Sequence, residues 1–320
     1  MRVSVVVPTH NRPELLDRCL TTLAAQELDS DDYEIIVADD AASDATRRRV
    51  AAWADYSDVV FRYVTPSGAH GPAAARNAGW RAARGRIIAF TDDDCVPDLR
   101  WLTEGVAAIE ARADAASGRV IVPLPKRPTD YERDAAGLQS AEFVTANCFV
   151  RRDALEAVGG FDERYAAAWR EDSDLQFSLL ERGFRIDRAP RAVVVHPIRP
   201  APWGVSLRQQ RKSLFNALLY KKFPQRYRRG IQSAPPWSYY ATVGAVAAAG
   251  ASIVAGLPTV GLGAAVVWAA LTARFCVRRL RGASTAPRHV LEMAVTSALI
   301  PPLSVFWRLY GAFKFRVLFL

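Results

Sequence analysis

Apolar residues fall into two kinds of run along this chain. Val3 to Val7, Glu34 to Ala38, Val59 to Val64 and Ile87 to Phe90 are short, bulky and bounded by polar residues or proline, the pattern of strands buried on both faces. Between them the spacing turns helical. Pro13 to Ala25 places Leu15, Leu16, Cys19, Leu20 and Leu23 on one face, Ser43-Asp44 starts a helix that runs through Trp53, and Ala73 to Arg84 is an Ala-rich helix stopped by Gly85. Strands alternating with helices over roughly a hundred residues predict a doubly wound, mostly parallel sheet with right-handed crossovers. Farther along, Asp174 to Arg182 reads as a helix and Arg191 to Val195 as a short strand ending at His196.

The last third has a different pattern. From Trp203 to Gly230 eight basic residues and no acid alternate with Leu207, Leu214, Phe215, Leu218, Leu219 and Phe223 at helical spacing. Such a stretch either lies on an anionic membrane surface or packs its apolar face on protein. Tyr239 to Phe275 then has no charge until Arg274, with Gly256-Leu257-Pro258 near its middle. Since roughly 20 residues cross a bilayer, this predicts a hairpin of two spans, about Tyr239 to Ala255 and Thr259 to Ala273. A third apolar segment, Val290 to Tyr310, is interrupted by Pro301-Pro302; spanning, re-entering and lying on the surface all remain open for it. The expected division is a sheet domain over 1–200, a basic amphipathic juxtamembrane segment over 201–236 and an all-α membrane-associated region over 237–320.

Charge sharpens that division. The chain has 320 residues and a net charge of +9, yet Met1 to Asp187 holds 23 basic against 32 acidic residues, whereas the remainder holds 19 basic against the single Glu292. A basic region can face nucleic acid or anionic lipid, and the neighbouring apolar runs decide for lipid. Basic residues flank both outer ends of the predicted hairpin, which places both ends and the sheet domain on the cytoplasmic side of a cell (inner or plasma) membrane. Cys19, Cys95, Cys148 and Cys276 are too scattered for a metal pair or a disulfide framework. The N-terminus enters a strand pattern at once, so no signal peptide is expected.

Candidate chemistry collects at the predicted strand ends. Asp92-Asp93-Asp94 follows the strand Ile87 to Phe90, and three carboxylates there either cap the next helix or share a hard cation such as Mg²⁺. Thr9-His10-Asn11 and Asp39-Asp40 end two other strands, and parallel pairing brings all three ends to one edge, where ligands of open sheets bind. Arg76, early in its helix, can reach the same edge. Glu171-Asp172 opens another helix, as a favourable helix start or as a catalytic acid pair.

Taken together, Val5-Val6-Val7-Pro8-Thr9-His10-Asn11-Arg12, Ile36-Val37-Ala38-Asp39-Asp40, Gly71-Pro72-Ala73-Ala74-Ala75-Arg76-Asn77-Ala78-Gly79, Phe90-Thr91-Asp92-Asp93-Asp94, Gly159-Gly160-Phe161-Asp162-Glu163 and Glu171-Asp172-Ser173-Asp174-Leu175 resemble, in order and spacing, the family 2 glycosyltransferases. The resemblance implies a GT-A fold and an inverting transfer from a nucleotide-diphospho-sugar. It implies Mg²⁺ or Mn²⁺ at Asp92, Asp94 and His196, donor contacts from Pro8, Thr9, Asn11, Asp39, Asp40, Arg76, Asp92, Asp93 and Asn147, and Asp172 as the base with Glu171 beside it. The implied partners are the donor, a lipid-linked or saccharide acceptor and anionic lipid, without nucleic acid. A membrane scaffold that keeps the fold without the chemistry is the alternative, which the presence of Asp92, Asp94 and Asp172 disfavours. One departure stands out: relatives usually place Gly-Ser after the Asp pair, where this chain has Ala41-Ala42.

Overall fold

The computed structural model describes all 320 residues. In chain order the elements are β1 (Val3–Thr9), α1 (Pro13–Ala24), β2 (Tyr33–Asp39), α2 (Asp44–Tyr56), β3 (Val60–Val64), α3 (Pro72–Ala82), β4 (Ile87–Thr91), β5 (Val96–Pro97), α4 (Trp101–Glu110), β6 (Ala115–Ile121), α5 (Asp130–Ala135), β7 (Asn147–Arg151), α6 (Arg152–Val158), α7 (Glu171–Glu181) and β8 (Ile186–Val195). The helices α8 (Val205–Gln209), α9 (Phe215–Lys222), α10 (Pro224–Gly230), α11 (Trp237–Val254), α12 (Pro258–Leu280) and α13 (Pro287–Lys314) complete the chain. They form two compact units: a sheet unit of Met1–Pro123 and Ala136–Ile198, and a helical unit of Leu124–Ala135 and Arg199–Leu320.

In the sheet unit eight strands lie in the order β3-β2-β1-β4-β7-β6-β8-β5. The first four pair in parallel, as the strand and helix alternation predicts, whereas β7 runs antiparallel to both β4 and β6. The sheet is therefore mixed and parallel-dominated. Strands β1, β2 and β4 are buried on both faces: Val3, Val5 and Val7 join one core cluster with Leu16, Leu20 and Leu23 of α1, while Val6, Ile88 and Phe90 join another with Trp80 of α3. The second packing is close because Gly79 of α3 faces Val6; a Cβ there would meet Val6 Cγ1 at 2.3 Å. The short strand read at Arg191 to Val195 is the second half of β8, ten residues long, whose register against β6 slips between Gly118 and Arg119.

The expectation for the basic segment needs correcting. Trp203 to Gly230 is not one amphipathic helix with a face free for lipid: it folds as α8, a 3₁₀ turn, α9 and α10, and Leu214, Phe215, Leu218, Leu219 and Tyr227 are buried within the unit. Helix α13 covers them so closely that a Cβ on its Gly311 would meet the Leu214 carbonyl oxygen at 2.4 Å. The proline-rich stretch after Val122 contains α5 and is tied into the same unit, where Asp130 accepts from Arg279 and Pro128 accepts from the Ser284 amide.

A helical hairpin is present, turned at Gly256 with φ of +67°, but not as two spans: its first arm, α11, is not among the helices long and apolar enough to cross a membrane. Its second arm is longer than expected. Helices α12 and α13 are the two long and apolar enough to cross a membrane, and none of the most apolar stretch of α12 is buried, against a third of that of α13. A core helix of a soluble protein would bury that stretch; here Val260, Leu262, Val266 and Val267 are all exposed. Helix α13 runs unbroken through Pro301 and Pro302.

Candidate active site

Parallel register places the carboxyl ends of β1, β2 and β4 side by side, with Thr9 opposite Asp39 and Val6 opposite Phe90. The polar residues that follow these strands therefore meet at one sheet edge. The middle acid of the triplet turns back into the protein: Asp93 accepts from the Thr9 hydroxyl at 2.7 Å and from Arg12 at 3.3 Å. Burial pushes its pKa up to about 6, with the Thr9 bond and Arg12 opposing. Asp93 and Thr9 thus brace the strand ends against each other.

Asp92 and Asp94 face different partners. Arg76, almost wholly buried, donates to Asp92 at 2.8 Å and to Glu171 at 3.2 Å. One guanidinium so joins the strand-end acids to the start of α7. Burial disfavours its charge, but Asp92 and Glu171 outweigh that and hold its pKa above the usual value. Asp94 instead approaches His196, whose Nε2 lies 3.5 Å from Asp94 Oδ1. The cause is β5, only two residues long: Val96 pairs with Val195, so the residues just before β5 and just after β8 are brought together. The His196 amide, which donates to Ile121 at 2.8 Å, fixes the turn.

A metal site fits this second pair. Asp94, Cys95 and His196 offer ligand atoms within 4.8 Å of one another, and an oxygen and an imidazole nitrogen suit Mn²⁺ or Mg²⁺ better than a thiol does. Burial drives the Cys95 pKa well up, and Asp94 and His196 are the oxygen and nitrogen donors of the group. Asp92, expected as a third ligand, is engaged by Arg76.

At the start of α7, Asp172 Oδ1 accepts from the Ser173 amide at 2.6 Å and the Ser173 hydroxyl at 3.3 Å, which leaves Oδ2 as the oxygen available to an incoming proton. Glu171 is buried and its Oε2 has no hydrogen-bond partner. Burial and the neighbouring Asp172 raise the Glu171 pKa to about 7 against the pull of Arg76, and burial raises that of Asp172 as well. Before the helix, Arg170 takes a left-handed φ of +75°, strained for a residue with a side chain, and its guanidinium stacks on Trp169 at 4.6 Å. Sequence reasoning passed over both residues; a Trp two places from an acid pair was the available signal.

The other predicted residues divide. Asp39 accepts from the Ala41 and Ser43 amides and from the Tyr63 hydroxyl, so it shapes the loop in which Ala42 takes φ of +51°. Asp40 accepts from the Gly71 amide at 2.8 Å and lies beside His70 and His10, tying the loop before α3 to the strand edge. Gly71 has to be glycine: its φ is +111° and a Cβ would meet the Ala166 carbonyl at 2.8 Å. Pro8 and Asn11 flank Thr9, Asn11 with φ of +53°. Asn147 is a correction. It sits opposite Thr91 at the edge, but it is fully buried, its Oδ1 accepting from the Trp101 indole and its Nδ2 donating to the Arg119 and Ala192 carbonyls. No group is left on it for a sugar hydroxyl.

Comparison with known proteins agrees with this architecture. Residues 4–161 match the model of Glycosyl transferase family 2 and residues 129–310 that of Glycosyl transferase family group 2, the latter covering more than half of the chain. Over 220 residues the chain is 29% identical to the glycosyltransferase AglE of Haloferax volcanii, covering 65% of this chain and 70% of that protein. It is 36% identical to the validoxylamine A glucosyltransferase of Streptomyces hygroscopicus subsp. limoneus over 57% of this chain and 48% of that one. With the pre-mycofactocin glycosyltransferase of Mycobacterium tuberculosis it shares 29% over 91% of this chain, which spans 61% of that protein. Among solved structures, the mannosyltransferase PcManGT of Pyrobaculum calidifontis, in complex with GDP-Man and Mn²⁺, superposes with a TM-score of 0.57 at 22% identity, covering 98% of this chain and 87% of that one. TarS 1-349 of S. aureus in complex with UDP-GlcNAc gives 0.51 at 16% identity, covering 93% and 90%. At such identities the two structures speak for the fold.

Proposed function

Because the chain belongs to glycosyl transferase family 2, we propose that it is a membrane-anchored inverting enzyme that passes a sugar from a nucleotide-diphospho-sugar to a lipid-linked or cell-surface glycan acceptor at the cytoplasmic face. The observation that carries this reading is the Arg76 bridge, which binds Asp92 at the donor strand end and Glu171 beside the candidate base into one unit. Donor and acceptor chemistry are then held at a fixed spacing, as transfer requires. The exposed apolar faces of α12 and α13 support the anchor, and an anchored enzyme stays beside a membrane-borne acceptor.

In this mechanism Asp172 Oδ2 takes the proton of the acceptor hydroxyl as that oxygen attacks the anomeric carbon and the nucleoside diphosphate leaves. The Ser173 amide and hydroxyl hold Oδ1 and so aim Oδ2. Glu171, paired to Arg76, keeps the start of α7 in place. Asp94 and His196 are the residues that would hold Mg²⁺ or Mn²⁺, which when bound supplies positive charge to the departing diphosphate. Thr9, Arg12, Asp39 and Asp40 shape the nucleotide edge.

The test is release of nucleoside diphosphate by full-length protein in detergent with Mn²⁺, across a panel of nucleotide-sugars. Asp172→Asn is expected to bind the preferred donor within a few-fold of the parent and to lose ~10²–10⁴ in turnover. A variant that turns over like the parent reduces Asp172 to a helix-start residue. No release with any donor favours the scaffold alternative.

A further inference from the structure

The helical unit contains a cavity of about 400 Å³ that sugar transfer leaves unused. The segment around α5 lines it with Asp130, Arg133 and Asp134, and α12 with Phe275, Arg278 and Arg279. Arg279 is buried and spent: its Nη2 and Nε donate to Asp130 at 2.7 and 3.0 Å, and its Nη1 to Thr296 and Ser297 at 2.7 and 3.2 Å. That pair cancels one charge of each sign. Asp134 is exposed and, beside the paired Asp130, is the second carboxylate of the lining. Arg133 donates to the Arg281 carbonyl, and Arg278 lies over the Phe275 ring at 5.5 Å with no carboxylate partner. The walls thus carry three arginines against two carboxylates, and Arg133 and Arg278 lie outside the Asp130–Arg279 pair.

One side of the cavity is apolar. Tyr239 of α11 lines it and meets the Phe275 ring edge-on at 5.3 Å. From there the exposed faces of α11 and α12 continue through Val246, Val266 and Val267. A small anion would use only the arginines; a molecule with an anionic head and a hydrocarbon chain uses both. Arginine's planar fork matches phosphate oxygens in particular.

We propose that this cavity binds an amphiphile through a phosphate headgroup held by Arg133 and Arg278, its chain lying along the apolar faces of α11 and α12. The site goes beyond the glycosyl-transfer reading and involves none of its residues. Full-length protein in a neutral maltoside detergent is titrated with dodecyl phosphate and with inorganic phosphate by calorimetry. Dodecyl phosphate should bind saturably and at least tenfold more tightly than inorganic phosphate, and Arg278→Gln and Arg133→Gln should each weaken it about tenfold. Both variants leave the Asp130–Arg279 pair intact, so melting temperature and nucleoside diphosphate release should stay at parent values, which separates lost binding from lost folding. Arg278→Lys, keeping charge without the fork, should fall between. Unchanged affinity in both glutamine variants means partition into micelles and overturns the site. Inorganic phosphate binding as tightly, with the same arginine dependence, overturns the amphiphile and leaves a free-phosphate site. Carbonate extraction of the membrane-bound protein tests the anchor separately, since a failed anchor does not remove phosphate binding in detergent.

Discussion

Arg76 in the sheet unit and Arg279 in the helical unit are both buried, but their surroundings differ in sign. Arg76 lies between two carboxylates, Asp92 and Glu171, with Asp93, Asp94 and Asp172 close in sequence to one or the other. Arg279 pairs with Asp130 and bonds Thr296 and Ser297, with Arg133 and Arg278 lining the same cavity. The sheet unit keeps a surplus of negative charge around its arginine and the helical unit a surplus of positive. A matched ion pair is fold; the unmatched remainder is where a ligand of opposite sign gains most. For the sheet unit that means a cation and a proton to be taken from a hydroxyl, and for the helical unit an anion.

Deleting each arginine breaks the comparison most severely. Removing one partner of a buried pair costs ~3–5 kcal/mol because a charge is left unpaired. Arg76→Met leaves two carboxylates and should lie at the top of that range; Arg279→Met leaves one carboxylate and should cost less. Thermal unfolding of the full-length variants in detergent measures both. Equal losses would mean that the surplus around Arg76 is not local.

The next effect separates the two outer acids of the triplet. If Asp94 and His196 hold the cation while Asp92 serves Arg76, Asp94→Ala should abolish the gain in nucleoside diphosphate affinity that Mn²⁺ gives, roughly tenfold or more, at about 1.4 kcal/mol per tenfold. Cys95→Ser should retain that gain, since a carboxylate oxygen and an imidazole nitrogen suit the cation better than a thiol does. Calorimetry with and without chelator reads the difference. A parent whose affinity ignores chelator removes the metal from the site.

What the sequence made legible here was whatever depends on local pattern. The buried runs of β1, β2 and β4, the helix start at Ser43 and the Gly71-Pro72 entry to α3 stand where periodicity and turn chemistry put them. Long-range partners were not legible from local pattern, and Asp94 and His196 came together only through the family resemblance. The two-residue β5 has no periodicity to detect, yet its pairing with β8 joins Asp94 to His196. Asn147 carries the chemistry of a ligand contact, and only Trp101, 46 residues earlier, shows that its amide is spent in the core. The basic segment has one periodicity whether lipid or α13 covers its apolar face. Nothing local to α5 shows that Arg279, 149 residues away, holds Asp130.

The smallest effect concerns the proton at the start of α7, where the surplus of negative charge should be visible in solution. Glu171 titrates near 7, raised by burial and by Asp172 against Arg76, and Asp172 is raised by burial. A base works ionised, so turnover should rise with pH along an acid limb above the usual carboxylate range. Glu171→Gln removes one of the two like charges and should move that limb down, by less than about one unit. Arg76→Met, where it folds, should move it up. Stability runs the other way: a carboxyl whose folded pKa exceeds its ordinary 4.5 binds more protons folded than unfolded. Its contribution is therefore full below that value and is lost as pH rises toward 7. Parent protein should lose stability across that window, and Glu171→Gln should lose less. Asp93, raised to about 6 by burial, adds a slope of the same sign over a lower range and stays in both proteins, so their difference reports the Glu171 and Asp172 pair together. A Glu171→Gln variant with the parent's acid limb and the parent's slope would mean that Arg76 alone already balances the charge there.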